Sequence, residues 1–172
     1  MLEIGCGVMK YFKGEDILLA DFDGVLLDSQ EKYNEIMGVE TDFDLWMEYL
    51  NSIDWHSFLR SCNEIEGAVE TFLELQKLEV LKGFITRIHS FDEGREKCML
   101  LRDIGLYVPV YYVLPTQQKS MVYLPNKNVI LLDDDPVNTI EWEINGGKSL
   151  LYNKTVKKST KKIIKKIPNL LK

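Results

Sequence analysis

A buried strand that ends in two acidic residues constrains the fold of this chain more than any other segment. Residues 17–29 read ILLADFDGVLLDS, so that four consecutive apolar residues lead into Asp21 and Asp23 and then into a turn that contains Gly24. A continuous apolar run is typical of a parallel strand that is covered on both faces. Open α/β sheets bind their ligands at the carboxyl ends of such strands. The two carboxylates therefore stand where this fold class places its functional sites.

The length and the cysteine content predict one domain in a reducing compartment. A chain of 172 residues is long enough to bury a core without disulfide bonds or a structural metal. Cys6, Cys62 and Cys98 are widely spaced and form no CxxC pair, which predicts reduced thiols. No segment has the length and apolarity of a membrane span, and the first residues lack the apolar stretch of a secretory signal. We therefore expect a cytoplasmic protein.

Strand-like and helical segments alternate along the chain. The strand-like runs are 17–20, 80–86, 108–114, 129–132 and 149–152. The clearest helix between them begins at Ser90, which forms a capping box with Glu93, and ends at Gly105. A second helix is predicted at about 65–78. This alternation predicts an α/β fold with a mostly parallel five-stranded sheet and helices on both faces.

Residues 30–63 do not fit a simple crossover between two strands. They form an additional, mainly helical stretch with the aromatic residues Phe43, Trp46, Tyr49, Trp55 and Phe58. Because this stretch follows the first strand directly, we expect it to lie over the carboxyl end of that strand as a small helical cap. The steps from Phe43 to Trp46 and Leu50 match one helix face, which favours packing between cap helices over direct stacking on a substrate.

The C-terminal tail differs from the rest of the chain in charge. Residues 151–172 contain eight lysines and no acidic residue, although the whole chain has a formal net charge of −6. Apolar residues recur in this tail at roughly helical spacing, so we expect a basic helix at about 154–172 that packs one face on the domain. A patch for nucleic acid or an anionic membrane is the alternative. This predicted helix contains no arginine and no aromatic residue, which argues against stacking on bases.

Polar residues follow the first four predicted strands in chain order. They are Asp21 and Asp23 after the first strand, Thr86 after the second, Lys119 after the third, and Asp133 and Asp134 after the fourth. Parallel strands end at one edge, so these residues would meet in one crevice. Converging carboxylates repel one another unless a positive charge intervenes, and such an oxygen-rich site suits Mg²⁺. The metal, Lys119, the Thr86 hydroxyl and the N–H groups of residues 22–24 would then hold a phosphoryl group for attack by a carboxylate.

These motifs resemble those of the haloacid dehalogenase-like (HAD) superfamily over most of the chain. DFDGVLLDS resembles the first motif of that superfamily, ITR at 85–87 the second, Lys119 the third and LLDDDPVN the fourth. The resemblance implies a HAD-like, Rossmann-like three-layer sandwich with a small helical cap inserted after the first strand. Residues 1–172 would form a single domain, with the core at about 15–29 and 64–153 and the cap at about 30–63.

The resemblance also implies a catalytic role for individual residues. Asp21 would be the nucleophile that forms an aspartyl-phosphate, and Asp23 would protonate the leaving oxygen and then activate water. Thr86 and Lys119 would complete the catalytic set. Gly24 lies where the backbone must pass close to the phosphate.

A magnesium site follows from the same resemblance. The ligands would be a side-chain oxygen of Asp21, the backbone carbonyl of Asp23 and the side chain of Asp134. Asp133 or Asn138 would assist from the inner or the outer shell of the metal.

Within the superfamily, the small cap and the DDDP sequence most resemble the 5′(3′)-deoxyribonucleotidase branch, which dephosphorylates nucleoside monophosphates. The chain departs from that branch at Leu27 and Ser29, and at Arg87 and Ile88, where Ser-Pro is usual. Arg87 would either bind a second anionic group of the substrate or face solvent. We predict a Mg²⁺-dependent phosphatase for small phosphorylated substrates, with nucleotides as the favoured class.

Three other functions are open at this point. A polynucleotide 3′-end phosphatase would hold nucleic acid with the lysine-rich tail, and its binding would weaken steeply with salt. A phosphotransferase would differ only in the group that accepts the phosphoryl group. A catalytically silent interaction domain is poorly supported, because silent members of the superfamily usually lose one residue of the set Asp21, Asp23, Thr86, Lys119 and Asp134.

Overall fold

A five-stranded parallel sheet forms the centre of the structure, a computed structural model that describes residues 16–38 and 43–152. Its strand order is β3-β2-β1-β4-β5. The strands are β1 (Ile17–Ala20), β2 (Leu81–Arg87), β3 (Val110–Val113), β4 (Val129–Asp133) and β5 (Lys148–Leu151). The predicted strands are confirmed, with shifts of one or two residues at their ends, and every pairing in the sheet is parallel.

Helices connect the strands on both sides of the sheet. They are α1 (Ser29–Met37), α2 (Phe43–Ser52), α3 (Trp55–Ser61), α4 (Ala68–Lys77), α5 (Phe91–Asp103), α6 (Lys119–Val122) and α7 (Pro136–Ile144). Side chains cap several of their first turns, as expected for orphan N–H groups: Asp28 accepts from Glu31 N before α1, and Ser90 accepts from Glu93 N before α5. The α4 helix is shorter than the predicted span of about 65–78.

Both faces of β1 are buried, which explains its unbroken apolar sequence. Leu18 and Ala20 belong to the larger apolar cluster, where the rings of Phe72 on α4 and Phe84 on β2 lie 5.1 Å apart. Leu19 points to the opposite face and belongs to a second cluster, which also contains Trp142 of α7. The predicted three-layer arrangement of helix, sheet and helix is confirmed.

Helices α1, α2 and α3 form the predicted cap between β1 and β2. Aromatic side chains hold it together: the ring of Tyr33 lies 4.7 Å from that of Trp46 and 4.6 Å from that of Phe58. On its core side, α3 is tied to α5 by an ion pair in which Arg60 Nη2 lies 2.6 Å from Asp103 Oδ2. The cap is therefore attached to the core through α3 as well as through the chain that leaves β1.

Three further expectations concern the C-terminal tail, membrane spans and the cysteines. The predicted basic helix at about 154–172 lies outside the described residues. Within the described residues, no helix combines the length and the apolar composition that a membrane crossing requires. Cys62 and Cys98 are free thiols.

Candidate active site

The carboxyl ends of β1 and β4 bring the predicted acidic residues together. The two strands pair in register from Ile17 with Val129 to Ala20 with Leu132. The N–H group of Asp21 donates to the carbonyl of Leu132 at 2.8 Å, which extends the pairing by one residue. Asp21 and Asp133 are thereby neighbours at the edge of the sheet, and both are buried.

Lys119, the first residue of α6, places its ammonium between these two carboxylates. Its Nζ atom lies 2.9 Å from Asp21 Oδ2 and 2.6 Å from Asp133 Oδ2. Burial by itself would lower the pKa of Lys119, but the two carboxylates outweigh burial and raise the pKa above its ordinary value. Lys119 therefore stays charged and neutralises part of the acidic site.

One ammonium does not compensate this acidic site fully. Burial raises the pKa of Asp21 from 3.8 to about 7, and the charges of Asp133 and Asp23 add to this rise, while Lys119 opposes it. A carboxylate with such a pKa is only partly ionised at neutral pH. The site is therefore electrostatically prepared for an additional cation.

Three carboxylates form a group that fits such a cation. One oxygen atom each of Asp21, Asp133 and Asp134 lies within 4.8 Å of the others. Asp133 is held firmly, because its Oδ1 atom accepts from the N–H of Asp135 at 2.9 Å and from Asn138 Nδ2 at 3.2 Å. A set of oxygen donors on a rigid scaffold is the chemistry that Mg²⁺ requires, so the residues present fit this ion. The predicted ligands Asp21, Asp133 and Asp134 are brought together, whereas Asn138 contacts Asp133.

Gly24 lies directly against this group. Its φ angle is +73°, a conformation that disfavours residues with a Cβ atom. A Cβ at this position would overlap the carboxylate of Asp134. The glycine is therefore required both by the turn after β1 and by the space that Asp134 occupies.

Asp23 is bonded to a different set of groups, which includes a second lysine. Its Oδ2 atom lies 2.6 Å from Lys97 Nζ and 3.3 Å from Thr86 Oγ1, and its Oδ1 atom accepts from the Ser29 hydroxyl at 2.7 Å. Burial would raise the pKa of Asp23, but the charge of Lys97 and these hydrogen bonds outweigh it, so that the pKa lies below its ordinary value. Asp23 is therefore ionised, and the site contains two aspartates with oppositely shifted pKa values.

Lys97 and Glu93 belong to this site, although the sequence analysis did not assign them to it. Both lie on α5, where Lys97 Nζ is 2.7 Å from Glu93 Oε1, and both are buried. The sequence signal for Lys97 was its position on the helix. Gly94, Lys97 and Leu101 lie at helical spacing on the buried face of α5. A charged residue on the apolar face of a helix calls for a partner inside the protein.

A cleft of about 400 Å³ opens beside these residues. Tyr33 and Trp46 of the cap line it, so two aromatic residues that pack inside the cap also face the site. Arg87, at the end of β2, lines the cleft as well; its Nη2 atom donates to the carbonyl of Gln117 at 3.4 Å. The Nε atom of Arg87 has no hydrogen-bond partner among the described residues. The cleft thus offers an aromatic wall and a guanidinium group near the aspartates.

Comparison with solved structures identifies the fold. The chain is similar to a HAD-superfamily hydrolase from Ehrlichia chaffeensis, with 11% identity and a TM-score of 0.54 over 91% of this chain and 97% of that one. It is also similar to a hydrolase from Streptococcus pneumoniae TIGR4, with 17% identity and a TM-score of 0.51 over 84% of this chain and 94% of that one. No protein-family model and no curated protein matches the chain. At these identities the likeness shows the HAD-like fold that the sequence motifs predicted.

Proposed function

We propose that the protein is a Mg²⁺-dependent phosphatase that hydrolyses phosphate monoesters through a phosphorylated Asp21. One observation carries the proposal: Lys119 lies between Asp21 and Asp133, and the carboxylates of Asp21, Asp133 and Asp134 converge at the edge of the sheet. Such a site favours a divalent cation together with a phosphoryl group. The HAD-like fold agrees with this chemistry.

Asp21, Asp134 and the backbone carbonyl of Asp23 would hold Mg²⁺. When bound, the ion neutralises charge on the phosphoryl oxygens and so stabilises the transition state. Asp133 already accepts hydrogen bonds at both of its oxygen atoms, from Lys119 on one side and from Asp135 and Asn138 on the other. Its main contribution would be negative charge and the orientation of Lys119.

In the first half-reaction, an oxygen of Asp21 forms a bond to phosphorus while the bond from phosphorus to the leaving oxygen breaks. Asp21 is fixed for this attack, because Phe22 N–H donates to its Oδ1 atom at 2.7 Å and Lys119 donates to its Oδ2 atom. Asp23 would give a proton to the leaving oxygen. Since the pKa of Asp23 is lowered, few molecules have it protonated at neutral pH, and esters with good leaving groups should react fastest in this step.

In the second half-reaction, water attacks the phosphorus atom and the bond between phosphorus and Asp21 breaks. Asp23 accepts the proton of the attacking water, and inorganic phosphate leaves. An ionised Asp23 is ready for this role as a base. The covalent intermediate divides one difficult displacement into two easier ones.

Nucleoside monophosphates are the proposed substrate class, in line with the resemblance to the 5′(3′)-deoxyribonucleotidase branch. The volume of the cleft is in the range of small-molecule sites. Tyr33 and Trp46 offer ring faces on which a flat base can stack. Arg87 would contact an anionic or polar group of the same ligand.

Release of inorganic phosphate tests this function. The substrates are deoxyribonucleotides, ribonucleotides and sugar phosphates, each with Mg²⁺ and with EDTA, and Asp21→Asn is the inactive control. We expect metal-dependent turnover that the variant lacks, with nucleotides as the best substrates. Absence of turnover on every ester by the folded protein with Mg²⁺ bound would contradict the proposal and favour a phosphotransferase or a silent domain.

The aromatic wall is tested by Trp46→Ala, with Tyr49→Ala as the matched control on the same helix. Trp46 lines the cleft, whereas the tyrosine packs within the cap, 6.5 Å from Tyr33 by ring centroids. We expect Trp46→Ala to raise KM for nucleotides about tenfold, as for the loss of one stacked base, without a change for sugar phosphates. Equal KM values in both variants would contradict the assignment of nucleotides.

A polynucleotide 3′-end phosphatase is the second candidate, favoured by the eight lysines of the tail. Residues 153–172 lie outside the described residues, so this candidate depends on the sequence. Turnover of a 3′-phosphorylated oligonucleotide distinguishes the two functions. A KM that rises steeply with salt would favour the polynucleotide, and a KM that is insensitive to salt would favour a small ester.

A further inference from the structure

Lys97 lies behind the active site and is completely buried. Four oxygen atoms surround its Nζ atom. The distances are 2.6 Å to Asp23 Oδ2, 2.7 Å to Glu93 Oε1, 2.9 Å to the carbonyl oxygen of Arg87 and 3.0 Å to Thr86 Oγ1. An ammonium has three protons to donate, so Lys97 has a complete set of acceptors.

Stability alone does not account for a charge at this position. Removal of an ammonium from water is costly, and apolar side chains of similar size often replace buried ion pairs without loss of stability. Leu101, one turn later on the same face of α5, is such an apolar residue. Lys97 differs in that it contacts Asp23, which lines the active-site cleft and whose side chain is 37% exposed.

We propose that Lys97 is a positioning residue that fixes the carboxylate of Asp23 for its part in phosphoryl transfer. This inference rests on the proposed function, because it assigns Lys97 a role through a residue of that site. Lys97 holds Oδ2 of Asp23 from the core helix α5, and Ser29 holds Oδ1 from the cap helix α1. Bonds at both oxygen atoms prevent rotation of the carboxylate.

Lys97 also links Asp23 to Thr86. Its Nζ atom lies 3.0 Å from Thr86 Oγ1, and that Oγ1 atom lies 3.3 Å both from Asp23 Oδ2 and from the carbonyl oxygen of Arg87. The hydroxyl has one proton, which either oxygen can accept. Loss of the ammonium would therefore remove the shortest contact of Asp23 Oδ2, at 2.6 Å, together with a donor to the Thr86 hydroxyl.

Glu93 is the second carboxylate that contacts Lys97. Its Oε2 atom accepts from the N–H of His89 at 2.7 Å, and its Oε1 atom faces Lys97. One ammonium thus serves two carboxylates. A Glu93→Gln/Lys97→Met double variant removes one charge of each sign, so that it keeps the local net charge and leaves Asp23 as the carboxylate without its cation.

The kinetic test compares Lys97→Met and the double variant with wild type and with Lys32→Met, a surface control on α1. On an alkyl phosphate we expect kcat to fall about a hundredfold, with KM within about twofold, because a displaced Asp23 assists neither proton transfer, whatever its protonation state. The loss should be smaller on p-nitrophenyl phosphate, whose leaving group needs little protonation. In an Asp23→Asn background, Lys97→Met should change kcat less than about twofold, because it acts through Asp23.

Two kinetic outcomes would overturn the inference. One is an unchanged kcat in the folded Lys97→Met protein. The other is an equal fractional loss with and without the carboxylate of Asp23, which would indicate a general structural role. Thermal unfolding identifies a variant that does not fold, and the charge-balanced double variant then takes its place.

A crystal structure of the double variant provides a readout that needs no turnover. We expect the Asp23 side chain to adopt a different rotamer from wild type. The wild-type rotamer with the Ser29 and Thr86 bonds kept would overturn the inference. Absence of turnover in the wild type would contradict the proposed function instead, and this structural comparison would still decide the role of Lys97.

Discussion

Replacement of Lys119 by methionine is expected to destabilise the metal-free protein strongly. The substitution leaves the carboxylates of Asp21 and Asp133 facing each other without the ammonium that now lies 2.9 and 2.6 Å from them. Their side chains are 11% and 0% exposed, so water compensates these charges only in small part. Methionine has a similar size, and the effect is therefore one of charge and not of a cavity.

The expected magnitude follows from the burial of the partners. Removal of one partner from a buried ion pair costs about 3–5 kcal/mol, because the remaining charge is uncompensated. Since Asp133 is fully buried, whereas Asp21 has a raised pKa and can take up a proton, we expect a loss near the lower end, about 3 kcal/mol. Lys32 provides the contrast: it pairs with Glu35 at 3.0 Å, with side chains 28% and 53% exposed, and its loss should cost at most about 1 kcal/mol.

Urea unfolding in EDTA near neutral pH measures both losses. We expect added Mg²⁺ to restore part of the stability of Lys119→Met, because the ion returns positive charge to the carboxylates. If Lys119→Met lowered the free energy of unfolding no more than Lys32→Met does, the carboxylates of Asp21 and Asp133 would not need the ammonium for stability. That result would contradict the prediction.

The remaining predictions concern the metal site and its pH dependence. Gly24→Ala should weaken Mg²⁺ binding at least about tenfold, because its Cβ would displace Asp134. Gly38→Ala is the control: Gly38 also has a positive φ, but its Cβ would meet no described atom within 4 Å. An equal effect of both substitutions on a Mg²⁺ titration would contradict this prediction. Mg²⁺ binding near neutral pH should release protons, because the pKa of Asp21 is raised to about 7. The affinity for Mg²⁺ should therefore fall as the pH drops below that value. Calorimetry in two buffers measures the number of protons released, and Asp21→Asn should release none. The folded-state pKa of Asp21 lies above its unfolded value of 3.8, so ionisation of Asp21 makes the metal-free protein less stable as the pH rises from about 4 to about 7. Urea unfolding of Asp21→Asn should lack this decrease in stability.

The sheet and the acidic group were predictable because local sequence determines them. Ile17–Ala20 is apolar at every position since β1 is covered on both faces, and parallel pairing with β4 then places Asp21 beside Asp133. Strand order and chain order were sufficient for this step. The lysine of α6 was predictable in the same way, from its place after β3.

The groups around Asp23 were not predictable by the same means. Helix patterns are recognised by apolar residues, so Lys97, on the buried face of α5, carried no apolar signal of its own in the sequence. Ser29 was noted only as a departure from the nucleotidase branch, whereas its hydroxyl donates to Asp23 at 2.7 Å. The contact of Lys97 with Asp23 joins residues 74 positions apart, and that of Ser29 with Asp23 depends on how α1 follows the turn after β1, so only the fold reveals them.

The orientation of the cap aromatics was likewise beyond the sequence. Trp46 and Tyr49 are three residues apart on α2, but only Trp46 is among the residues that line the described cleft. Which side of an amphipathic cap helix faces the site depends on how α1 and α3 pack against it. The sequence therefore predicted packing within the cap, while the contribution of Trp46 to the cleft required the structure.

The most direct test of the central claim is whether phosphate becomes covalently attached to Asp21 during turnover. A reaction with radiolabelled substrate and Mg²⁺ is quenched rapidly in acid, and the labelled peptide is identified by mass spectrometry. We expect a hydroxylamine-sensitive acyl phosphate on the peptide that contains Asp21, absent in EDTA and in Asp21→Asn. Label on another residue, or rapid phosphate release with no labelled protein at any time point, would contradict it.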